Sequence, residues 1–178
     1  MIAAKLGKLQ QKTEFGDDLY HMRKYYIIIG LLILAGIVYY TGLYTYFQRT
    51  EVYEALPDSG DSSQVENAAQ TIVSGSFVGV DAIHKGSGTA RIILDGTKQY
   101  LRLENFEVTN GPDLYVYLSE SKTPGNDLQS LDKYLILGKL KGNVGDQNYE
   151  IPEPFRGYNT AIIWCQKFGV LFTYAIMR

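Results

Sequence analysis

The stretch RIILDGTKQYLRL, residues 91–103, decides the fold. Its second half alternates, with Leu101 and Leu103 on one side and Arg102 on the other, which is the period of a half-buried strand. Between its two apolar runs stands Asp95-Gly96, a dipeptide suited to the positive φ of a tight hairpin loop. The same period recurs downstream. Leu114, Val116 and Leu118 alternate with Tyr115 and Tyr117, and Phe168, Val170, Phe172, Tyr174 and Ile176 form the longest such run. Turn signals separate the runs at Lys85-Gly86-Ser87-Gly88, Asn110-Gly111-Pro112, Thr123-Pro124-Gly125-Asn126, Lys141-Gly142-Asn143 and Arg156-Gly157. No helical period interrupts them. The reading is an all-β domain over residues 72–178, an antiparallel sandwich or small barrel of about eight strands.

Ahead of it, residues 25–47 (YYIIIGLLILAGIVYYTGLYTYF) carry no charge and are long enough to cross a hydrocarbon core of about 30 Å as a helix. Tyrosines at both ends suit the two interfaces. The apolar core exceeds that of a signal peptide, and no small-x-small cleavage pattern follows, so it reads as an uncleaved signal anchor. Lys5, Lys8, Lys12, Arg23 and Lys24 precede the span, whereas Arg49 is followed by Glu51, Glu54, Asp58 and Asp61. That excess of basic residues places residues 1–24 in the cytoplasm as an orienting flank and the C-terminal domain outside. Residues 48–71, rich in Ser, Asp, Glu and Gly, read as a solvated linker.

Two motif-bearing segments, GSGTARIILDGTKQYLRLENFEVTNGPDLYVYLS (86–119) and AIIWCQKFGVLFTYA (161–175), resemble the DM-thirteen family, a small all-β extracytoplasmic domain associated with electron transfer. LRLENF, NGPDLYVYLS and a terminal WCxxFxVxF pattern occur in the right order, and the resemblance covers residues 72–178. It implies that the family cysteine is Cys165 and that a histidine ahead of the first strand pair is His84.

Cys165 is the chain's single cysteine, so it cannot form a disulfide within its own chain. If Ile162 and Trp164 share one face of a strand, Ile163 and Cys165 share the other, with a turn at Gln166-Lys167 placing the thiol near a rim. A rim thiol beside Lys167 would have a lowered pKa and ligate metal or exchange with disulfides; alternatively it is a small core hydrophobe. His84 stands before a glycine-rich turn, either as a solvated side chain or as the second member of a site. Thiolate and imidazole suit a transition metal or haem iron, with Asp113 as a third candidate ligand. Asp113 also has a purely structural reading in the turn Asn110-Gly111-Pro112-Asp113, where Asn-Gly supplies positive φ.

The formal net charge of −2 and the lack of a basic stripe argue against nucleic acid. There is no Gly-x-Ser-x-Gly elbow, His-Glu-x-x-His or phosphate-binding glycine loop. The expected role is redox, through Cys165 with His84 and Asp113 shaping a metal or haem site, for a protein partner in a redox chain or membrane complex. The alternative is a non-catalytic binding or assembly module, such as an accessory subunit.

Overall fold

The computed structural model describes residues 2–57 and 70–178, with side chains from Met22 onward; half of the expected linker, residues 58–69, lies outside the described residues. The chain divides into two compact units, residues 1–44 and 45–178.

The first unit is a helix, α1, Ile2–Thr41, which includes the flank expected to do no more than orient the span. Within it Met22–Thr41 is long and apolar enough to cross a membrane, as a signal anchor or a signal peptide. The helix stops six residues short of the expected Phe47. Gly42 adopts φ 74° and donates its N–H to Val38 and Tyr39, a left-handed cap that a residue with a Cβ resists. The next residues, Leu43–Phe47, form a 3-10 turn.

The second unit contains two five-stranded sheets packed as a sandwich. Its strands are β1 Glu51–Tyr53, β2 Gln70–Ser76, β3 Val78–Gly79, β4 Gly86–Asp95, β5 Lys98–Val108, β6 Leu114–Ser119, β7 Tyr134–Lys139, β8 Val144–Ile151, β9 Thr160–Cys165 and β10 Val170–Ile176. One sheet runs β1-β8-β5-β4-β2 and the other β3-β10-β9-β6-β7. Pairing is antiparallel except for β1, which lies parallel to β8. Part of the expected linker is therefore sheet.

The β4–β5 hairpin closes through Gly96-Thr97, with Asp95 paired to Lys98. Gly96 has φ 58°, and nothing stands within 4 Å of where a Cβ would lie, so the dihedral alone calls for glycine. Inward alternation at Leu101 and Leu103 switches parity at a bulge, where Asn105 takes φ 46° and its N–H donates to Asp146 Oδ1 at 2.8 Å. Beyond the bulge Phe106 and Val108 face the core.

The main core lies between the sheets, where Ile92, Leu101, Leu103 and Phe106 meet Val116, Leu118, Ile163, Cys165 and Phe172. A second cluster of Tyr117, Leu131, Ile162, Trp164 and Leu171 forms on the other side of the second sheet. All six residues of β9 are consequently buried. Its alternation assigns Ile163 and Cys165 to one cluster and Ile162 and Trp164 to the other.

Candidate functional site

Cys165 is the last residue of β9 and has no exposed surface. Gln166–Gly169 form the turn into β10, closed by the Gly169 N–H donating to Cys165 O at 2.9 Å. Glycine is required there by φ 64°. The backbone amides of Asp113, Lys167 and Phe168 lie near enough to the Cys165 sulfur to lower its pKa. Asp113 belongs to the neighbouring loop, where its carbonyl also accepts from the Gln166 N–H at 2.9 Å.

The expectation of a lowered thiol pKa is not met. Burial pushes the thiol up and outweighs the three amides, which pull it down. At neutral pH the sulfur is thus protonated. A raised thiol pKa makes the fold relatively stable below the ordinary thiol pKa and less so as pH rises through it, because the unfolded chain ionises first. Native Cys165 should react with iodoacetamide at neutral pH at least about 100-fold more slowly than in the unfolded chain, since thiolate fraction and access both fall. A native rate within about threefold of the unfolded one would contradict this burial.

His84 is held by its own loop. Asp81 Oδ1 accepts from the Ile83 and His84 amides, both at 2.7 Å, and Asp81 Oδ2 lies 2.7 Å from His84 Nδ1. These donors hold the Asp81 carboxyl down at about 2, with the His84 amide the largest cause. A carboxylate can only accept, so Nδ1 carries a hydrogen. The imidazole sits on the Phe172 ring, with centroids 4.4 Å apart. Phe172 in turn meets Tyr46 at 6.0 Å. His84 is therefore neither solvated nor free.

Asp113 stands apart from this stack in its side chain, which faces Lys139 Nζ at 3.6 Å. Its backbone, not its carboxylate, reaches the sulfur. The Asn110-Gly111 step also differs from expectation, since neither residue takes positive φ. Gly111 is needed for space, as a Cβ there would lie 2.8 Å from Phe172 Cζ.

Among the described residues no three His, Cys, Asp or Glu side chains gather closely enough to hold a metal ion. His84, Cys165 and Asp113 thus do not form a ligand set in this geometry.

Tyr46 is the residue that sequence reasoning missed. It packs on the main core beside Phe172, and its hydroxyl lies within electrostatic reach of both Cys165 and Asp81. The uncharged run to Phe47 hid it inside an apparent span. The available signal was Gly42, the natural stop for the helix.

These features define a class: a two-sheet β-sandwich with a single buried thiol at one rim, close to backbone amides and in one core with an aromatic stack. The chain belongs to the family described as Electron transfer DM13, which matches residues 76–177. No curated protein and no solved structure matches the chain. Cys165, His84 and Phe172 lie inside the matched segment, and Tyr46 and β1 lie outside it.

Proposed function

We propose that the protein is a membrane-anchored redox domain, with its N-terminus cytoplasmic and its sandwich extracytoplasmic, passing electrons through Cys165 to a protein partner. The observation that carries the reading is one fully buried sulfur at a strand end, with three backbone amides near enough to lower its pKa. Hydrogen bonds to sulfur and exclusion of water are two means by which proteins tune the potential of a sulfur centre. Family membership supports the same reading, as does the basic excess before the apolar helix.

Burial determines how the sulfur can act. A charged sulfur is disfavoured, so an electron leaving the thiol for a one-electron acceptor on the partner takes the S–H proton with it to solvent. The product is a neutral sulfur radical, restored by the reverse step. His84 and Phe172 hold the surrounding packing in place, and Tyr46 covers the core beside the thiol. The second reading, a binding or assembly module, draws support from the zero exposure of Cys165.

Whether the electron sits on sulfur or on a group held by it is decided by elemental analysis and an optical spectrum of the full chain. The reading expects equal metal content and equal spectra for wild type and Cys165→Ser. A stoichiometric metal or haem band lost only in the variant would place a group on the sulfur.

A further inference from the structure

We propose that the rim of the sandwich carrying Cys165 docks on the membrane surface, with Phe47, Ile83 and Phe168 in the interfacial layer and Lys85 and Lys167 facing anionic headgroups. The inference rests on the reading of Met22–Thr41 as a membrane span.

Chain length supplies the first argument. Thr41 ends the apolar helix, and Tyr46, five residues later, already packs on Phe172. Five residues reach at most about 18 Å when fully extended. The polar layer of a bilayer is itself on the order of 5–8 Å thick on each side. The rim holding Tyr46 is thus tethered close to the lipid.

The composition of the rim supplies the second. Phe47 is 92% exposed, Ile83 62% and Phe168 43%, and packing does not account for them. All three belong to the same end of the sandwich. Phe47 follows Tyr46, Ile83 precedes the imidazole seated on Phe172, and Phe168 stands in the turn that follows Cys165. Aromatic and aliphatic side chains interleaved with lysine are the composition that settles at a lipid interface. Lys85 and Lys167 are exposed there. The β4–β5 hairpin, at the opposite rim, turns through Gly96-Thr97.

Tryptophan quenching tests this on the full chain in vesicles of phosphatidylcholine with about a third phosphatidylglycerol, where anionic headgroups attract nearby lysines. The only native tryptophan, Trp164, is buried and provides a constant background. Shallow doxyl-labelled lipid should quench Phe168→Trp at least about twofold more than Thr97→Trp, and aqueous acrylamide should do the reverse. Adding Lys85→Glu and Lys167→Glu should bring the quenching of Phe168→Trp down toward that of Thr97→Trp. If Phe168→Trp behaves like Thr97→Trp while the chain still floats with the vesicles, docking is overturned and the anchor stands; a protein partner or a second copy covering the rim gives that result. If the chain fails to float after an alkaline wash, the anchor and the docking both fail.

Discussion

Phe172→Ala is expected to lose about 3–5 kcal/mol of stability and to unseal the thiol, since a fully buried ring leaves both its transfer energy and a cavity behind. Phe172 has no exposed surface and joins four separate pieces: β10, the His84 imidazole at 4.4 Å, the Tyr46 ring at 6.0 Å and Gly111, whose missing Cβ makes room for it. For a domain of this size the loss corresponds to a fall in Tm on the order of 10 °C or more. Iodoacetamide should then reach Cys165 at least about tenfold faster than in the wild type, because access limits the native rate. Phe172→Leu keeps most of the volume and should cost roughly 1.5 kcal/mol or less. A loss below about 1 kcal/mol with unchanged alkylation would show that the ring does not seal the site.

The second large effect is expected at Arg102, whose residue surface is 4% exposed. Its Nη1 donates to Glu54 O at 2.7 Å, Ala55 O at 3.3 Å and Asn148 Oδ1 at 3.0 Å, and its Nη2 donates to Asp146 Oδ2 at 3.1 Å. Glu104 Oε1 lies 3.4 Å from Nε. Arg102→Ala removes one side of a buried ionic network and leaves carbonyls and carboxylates without their donor, an event that costs about 3–5 kcal/mol. The loss should be unevenly distributed. Hydrogen exchange at residues 51–55, the piece that Arg102 straps to the sheet, should rise more than at β5 itself. Arg102→Lys should rescue little, because one ammonium cannot reproduce a five-donor fork. Uniform exchange together with a loss under about 1 kcal/mol would contradict this role.

Much of the sandwich was legible because its signals are local. Period-two runs marked β5, β6 and β10, Asp95-Gly96 marked the hairpin, and the faces of β9 followed from strict alternation. What escaped depends on neighbours distant in sequence. Glu51–Tyr53 is too short and polar to announce a strand, and it becomes one because β8 and Arg102 receive it. Arg102 sits on the outward-facing side of the alternation, and only the strap over it buries it. The thiol site was half legible. Its position at a strand end was correct, whereas its pKa direction was not, since the exposed Lys167 next to it in sequence counts for less than burial. The placement of Asp113 was not legible either, because its backbone lies near the sulfur while its carboxylate turns to Lys139, a residue distant in sequence.

Voltammetry of the full chain in a supported bilayer tests the central claim most directly. The account predicts a one-electron wave whose potential falls by about 59 mV per pH unit, because one proton leaves with each electron, and which disappears in a folded Cys165→Ser variant. A wave that survives the substitution, or no wave in the wild type, would remove the redox role from Cys165 and leave the binding or assembly reading in its place.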